Sequence, residues 1–93
     1  MTGILGYATY LPHYRLPRAG IAALLGGPPA KGQRAVASYD EDSTSMAVAA
    51  ARRLRADLPP DLAALYFATT TPAYLDKTNA TAIHAALGLP SGV

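Results

Sequence analysis

Apolar and polar residues alternate along the chain in short, sharply bounded segments. Ile4 to Leu11 is rich in strand formers, is bounded by Gly3 and Pro12, and predicts a first strand. Gly6 inside it marks a backbone that another element approaches closely. Pro17 suits the first position of a helix, where its missing N–H would be unpaired anyway. Ile21, Leu24 and Leu25 share one helical face, and Gly26-Gly27-Pro28-Pro29 ends that helix. Arg34 to Ser38 is short and apolar at its centre, which predicts a second strand.

The acidic cluster Asp40-Glu41-Asp42-Ser43 reads as a helix start, with Asp42 or Ser43 capping the free N–H groups. Met46, Ala50, Leu54 and Leu58 follow at four-residue intervals beside Ala47 and Ala51, and Pro59-Pro60 stops the helix. Its alanine-rich stripe predicts close packing on a neighbour. Leu65 to Thr71 is the strongest predicted strand, and its lack of strict alternation suits cover on both faces. A loop from Pro72 to Lys77 leads to a third helix, Thr78 to Leu87, closed by Gly88 and Pro90. Strands alternating with helices predict an α/β fold, with a mainly parallel sheet and helices on both faces. The pattern stops in mid-motif, because the last helix has no strand to return to.

Composition sharpens this picture. Of 93 residues, 51% are hydrophobic and 15% charged, which is apolar for so small a domain. Much of that apolar surface is therefore expected to pack against something outside these residues. The net charge of +2 calls for neither nucleic acid nor a membrane surface. The start of the chain lacks the basic and apolar regions of a signal peptide, and no apolar run is long enough to span a bilayer. A cytoplasmic protein is the expectation. The chain has no cysteine, so a disulfide, a thiolate metal site and a cysteine nucleophile are excluded within it.

Candidate chemistry is sparse. His13 and His84 lie on different elements without a carboxylate at ligand spacing, so no metal site is expected. His84 reads as a partly buried histidine bonded to backbone. Asp40-Glu41-Asp42 lacks the alternation and central glycine of a calcium loop. Gly27 to Gly32 has the glycine spacing of a phosphate loop, but Gln33 stands where lysine belongs and two prolines remove donors. Lys31 or Arg34 could at most touch a ligand phosphate. Arg52, Arg53 and Arg55 read as a solvated helix end, and Asn79-Ala80-Thr81 as a capping segment.

Several segments together resemble a known family. Phe67-Ala68-Thr69-Thr70-Thr71, followed after a loop by Ala80-Thr81-Ala82-Ile83-His84-Ala85-Ala86-Leu87-Gly88-Leu89, is similar to a strand and helix of the thiolase superfamily. The nearest resemblance is to 3-hydroxy-3-methylglutaryl-CoA synthases and β-ketoacyl-ACP synthases III. Gly3 to Tyr7 through Tyr10-Leu11-Pro12 resembles the opening strand. Gly32 to Ala37 with Ser43 to Ala47 resembles the second strand and helix.

The resemblance implies that residues 1–93 are the N-terminal fragment of a thiolase-like half-domain, incomplete in this chain. Such enzymes build five layers from two halves and act as homodimers on acyl groups carried by coenzyme A or acyl carrier protein. Their cysteine nucleophile sits at a helix start after the next strand, and other catalytic side chains come from the second half. The resemblance thus implies a complementary polypeptide, or a longer parent chain, and a coenzyme A thioester as substrate rather than a bound cofactor. Thr70 stands where hydroxymethylglutaryl-CoA synthases carry a glutamate general acid/base, which puts that activity in doubt and agrees with the ketoacyl synthases. The aromatic residue that many such synthases stack on the adenine has no counterpart before Gly32. In the family the loop matching Pro72 to Thr78 lines the partner's acyl pocket, making Tyr74 and Leu75 the candidates here. A non-catalytic scaffold or interaction subunit that keeps the fold fragment is the alternative.

Overall fold

In a computed structural model, which describes residues 3–28 and 30–93, contacts divide the chain into two units. One unit is residues 11–41, and the other joins residues 3–10 to residues 42–93.

In the first unit, strand β1 (Tyr14–Pro17) runs directly into helix α1 (Arg18–Leu25). Pro17 sits at the helix N-cap with extended backbone, and its ring sets the φ that both elements accept. Gly26 ends α1 in the left-handed conformation at φ 72°, with its N–H bonded to the Ala22 carbonyl. Of the predicted Gly-Gly-Pro-Pro stop, Pro29 lies outside the described residues. The chain returns through a turn in which the Arg18 N–H donates to the Gly32 carbonyl at 3.0 Å. Strand β2 (Gln33–Val36) then pairs antiparallel with β1, setting Leu16 opposite Arg34 and Arg15 opposite Ala35. This sheet has two strands and is antiparallel, where a mainly parallel sheet was expected.

The physical reason is that β1 and β2 lie on either side of one short helix whose return turn brings them side by side in opposite directions. A parallel partner requires a full crossover. The second predicted strand forms at Gln33–Val36, slightly earlier than Arg34 to Ser38.

In the second unit, helix α2 (Ser43–Leu54) starts where the acidic cluster ends. Asp42 is its cap. The carboxylate accepts from the Ser45 N–H at 2.7 Å, and Ser45 Oγ accepts from the Asp42 N–H at 2.9 Å, closing a reciprocal box. After Leu54 the chain tightens into a 3₁₀ turn, Arg55–Asp57, so the predicted helical stripe ends before Leu58. Helix α3 (Asn79–Leu87) packs against α2 and is closed by Gly88. Ile83 and Leu87 on α3 are the buried apolar residues among those described. The Ala47, Ala50, Ala51 and Leu54 stripe of α2 lines an apolar hollow with Ala8, Leu65, Phe67 and Ile83. The helices α2 and α3 pack together, and the alanines of the stripe leave a hollow beside them.

The two strongest predicted strands, Ile4 to Leu11 and Leu65 to Thr71, do not form ladders. Residues 3–12 and 62–69 carry no regular secondary structure. Each has one side against the helices and one side bare. Leu65 and Phe67 are half-buried while Tyr66 between them is 92% exposed. Ala8 and Tyr10 are half-buried while Ile4, Leu5 and Tyr7 are exposed. Among the described residues, Leu65 to Thr71 is therefore not covered on both faces. A strand without a hydrogen-bonded neighbour leaves its backbone groups to water, so strand propensity alone cannot make a sheet.

The opening segment is tied to α2 instead. Arg53 donates to the Thr9 carbonyl at 2.7 Å, and its guanidinium lies 5.6 Å from the Tyr10 ring centroid. Gly6 is the close-approach position expected from the sequence, since a Cβ there would fall 3.1 Å from Leu54 Cδ1.

The reciprocal cap predicts that Asp42→Ala lowers stability by about 1 kcal/mol, whereas Asp42→Asn keeps most of it. Urea unfolding followed by circular dichroism at the helical band measures this. Equal midpoints for the alanine variant and the parent would contradict the cap assignment.

Candidate functional site

The chemistry-bearing residues of the second unit gather where the N-terminal ends of α2 and α3 meet the segment between residues 69 and 78. Thr70 is exposed on that segment. Its neighbours are held: the Thr71 N–H donates to Thr69 Oγ1 at 3.1 Å, and the Thr71 carbonyl accepts from Ser43 Oγ at 2.8 Å. Ser43 is the first residue of α2, so the Thr70 turn is tied to the start of that helix.

Tyr74 follows four residues later and is partly exposed, at 41%. Its ring lines a groove with Thr44, Val48 and Ala49 of α2 and with Ala82 and Ala86 of α3. Lys77 places its ammonium 4.1 Å from the Tyr74 ring centroid, a cation–π contact that covers the ring. Leu75 points away from this packing and is 95% exposed. Tyr74 and Leu75 therefore differ: the first seats its ring on its own chain, and the second presents a bare apolar side chain.

Lys31 and Arg34 belong to the other unit. Lys31 is exposed beside the Gly32 turn. Arg34, on β2, lines a shallow groove with Arg18, Ile21 and Leu25 of α1, which brings two guanidinium-bearing side chains to one groove. Thr70, Tyr74 and Leu75 thus share one loop region, and Arg34 has Arg18 as its neighbour.

His84 behaves as its position suggests. It is half-buried, and its Nε2 is 3.0 Å from the Pro90 carbonyl, which can only accept, so Nε2 carries the proton. The Asn79-Ala80-Thr81 segment differs from the expected cap. Thr78 occupies the N-cap position with no side-chain cap bond, and its hydroxyl instead bonds to that of Thr81. Asn79 turns its amide back onto the loop, bonding Tyr74 and Thr44. Sequence reasoning missed Asn79, Thr44 and Ser43 as loop-holding residues. Each bond spans residues distant along the chain or lies at a helix start, where asparagine, threonine and serine are already expected as caps.

No titratable cluster within the described residues assembles a nucleophile with a base. What the arrangement offers is a positioned loop and an aromatic ring seated in a groove between two helices.

Comparison with known proteins finds relatives of this chain. The chain is 39% identical to the hydroxymethylglutaryl-CoA synthase of Aeropyrum pernix over 94% of its own length and 27% of that enzyme's. It is 36% identical to the synthase of Methanopyrus kandleri, over 92% of this chain and 27% of the relative. It is 38% identical to that of Methanosphaera stadtmanae, over 89% and 27%. No family model matches the chain, and no solved structure matches it. The chain is a relative of the hydroxymethylglutaryl-CoA synthases and spans about 27% of the length of those it matches.

Proposed function

We propose that this chain is the N-terminal piece of an acyl-condensing enzyme acting on coenzyme A or acyl carrier protein thioesters. The carrying observation is its similarity to hydroxymethylglutaryl-CoA synthases along nearly its whole length. On this reading the chain supplies scaffold and pocket lining. The cysteine nucleophile lies outside it, consistent with a sequence that has no cysteine. A thiolate at a helix N-terminus is the chemistry such a reaction needs, since the thiolate attacks the thioester carbonyl and the coenzyme A thiol departs.

The bare sides of residues 4–7 and 65–68 support the structural half of the reading. In the complete unit, a thiolase-like layered fold, these segments become strands of a mainly parallel sheet with helices on both faces. The missing strands come from a complementary polypeptide or from a longer parent chain, and the complete unit is a cytoplasmic homodimer. Covering Tyr66, Leu5 and Ile4 removes large apolar side chains from water, each contributing about 1.5–3 kcal/mol when fully buried.

Within that unit, Tyr74 and Leu75 line the acyl pocket, Leu75 as the side chain free to reach a second copy. Lys31 and Arg34 contact phosphate groups of coenzyme A, with Arg18 beside Arg34 adding a second cation to the same groove. Thr70 has no titratable group, so acid/base work that a carboxylate would do at this position falls to another residue or is not part of the reaction.

Two outcomes follow. The purified 93-residue chain, given acetyl-CoA and an acceptor thioester, releases no coenzyme A thiol above background. The same assay on the complete unit gives turnover, and release by the isolated chain would overturn the reading. In the complete unit, Leu75→Asp raises KM for the acyl thioester by about ten-fold or more, because a carboxylate in an apolar pocket must be desolvated. An unchanged KM for Leu75→Asp and for Tyr74→Ala would remove both from the pocket and favour a scaffold role.

A further inference from the structure

The loop carrying Tyr74 lacks the usual means of being held. Residues 70–78 form no helix or strand, and no backbone-to-backbone hydrogen bond joins them to another described residue. A loop in that condition is ordinarily mobile. Side chains hold it instead: Ser43 Oγ bonds the Thr71 carbonyl, and at Tyr74 the bonds come from Asn79. Asn79 Oδ1 accepts from the Tyr74 N–H at 3.0 Å, and Asn79 Nδ2 donates to the Tyr74 carbonyl at 3.3 Å. The amide therefore gives Tyr74 the paired donor and acceptor that a neighbouring strand would give it.

The same oxygen accepts a second bond, the third made by the amide, from Thr44 Oγ1 at 3.2 Å. Thr44 lies in the first turn of α2 and is buried, with 7% exposure. Asn79 itself is the first residue of α3, so its backbone is fixed by the helix. The amide is thereby locked at both ends, and three of the four hydrogen bonds that an asparagine side chain can make are used. Its orientation is set by Tyr74, since exchanging oxygen and nitrogen would lose both bonds to the Tyr74 backbone.

We propose that Asn79 is a positioning residue: it holds the Tyr74 backbone so that the Tyr74 ring stays seated between α2 and α3 and Leu75 is presented outward. This rests on the reading of Tyr74 and Leu75 as pocket lining, and it adds the residue through which that lining is set. Asn79 does not itself reach the groove. Its effect passes through the N–H and carbonyl of Tyr74, with Thr44 as brace and the Lys77 contact as a secondary hold on the ring.

Amide hydrogen exchange, read by NMR on the assembled protein with this chain isotope-labelled, tests the proposal. Asn79→Ala speeds exchange at Tyr74 roughly ten-fold, the equivalent of about one net hydrogen bond, while the Ile83 amide in α3 changes less than about two-fold. Asn79→Asp keeps the oxygen acceptor and retains most of the Tyr74 protection. Should the alanine variant fail to assemble, Thr44→Val provides a second test, because it removes only the brace and accelerates Tyr74 by a few-fold. Unchanged exchange at Tyr74 in both Asn79→Ala and Thr44→Val overturns the proposal, and so does equal acceleration at Tyr74 and Ile83, which marks general destabilisation. KM for the acyl thioester is read on the same samples. Faster Tyr74 exchange with a raised KM supports both the clamp and the pocket. Faster exchange with KM unchanged, in Asn79→Ala and Tyr74→Ala alike, supports the clamp and overturns the pocket reading.

Discussion

Everything in the larger unit depends on the close approach of α2 and α3. Alanines at 47, 50 and 51 remove side-chain bulk from the face of α2 beside Ile83 of α3, and Ile83 and Leu87 are the buried apolar residues among those described. With so little apolar volume buried, each close contact matters more than it would in a large core. The same approach brings the two helix starts together. Ser43 and Thr44 can then bond the Thr71 carbonyl and Asn79, and the loop that carries Thr70 and Tyr74 acquires a fixed path.

The second constraint is what the chain leaves uncovered. Residues 3–10 and 65–69 form no regular secondary structure; Ala8, Tyr10, Leu65 and Phe67 are half-buried, but Ile4, Leu5, Tyr7 and Tyr66 are exposed. A row of exposed apolar side chains on segments that join no ladder is what the edge of a sheet presents. The similarity to enzymes of which this chain spans about 27% supplies a reason for that edge. In the proposed complete unit the same side chains become interior.

Helices were legible in the sequence because their determinants are local. Pro17 starts α1 through the φ its ring fixes, while Gly26 ends α1, Asp42 and Ser45 start α2 and Gly88 closes α3 through bonds within a few residues. Strands were legible only as propensity. Leu65 to Thr71 has the residues of a strand, but a ladder depends on a neighbour that its own residues do not specify. The weaker segment near Gln33 did pair, because the α1 turn delivers Tyr14–Pro17 beside it. At the site, the resemblance singled out the loop and its residues Tyr74 and Leu75. It did not single out Asn79, whose bonds to Tyr74 and Thr44 depend on where the chain folds back. Nor did it separate the seated ring of Tyr74 from the bare side chain of Leu75, a difference that follows from which side of the loop meets α2.

The central claim is that this chain is completed by the remainder of an acyl-condensing enzyme. Native mass spectrometry of the chain isolated from its own cells measures this most directly, with peptide sequencing of whatever polypeptide it belongs to or travels with. The account predicts a species several-fold heavier than the 93-residue chain. Its additional sequence should be related to the rest of the hydroxymethylglutaryl-CoA synthases and contain a cysteine at a helix start. A free 93-residue monomer that melts cooperatively, with no such sequence attached or associated, would contradict it.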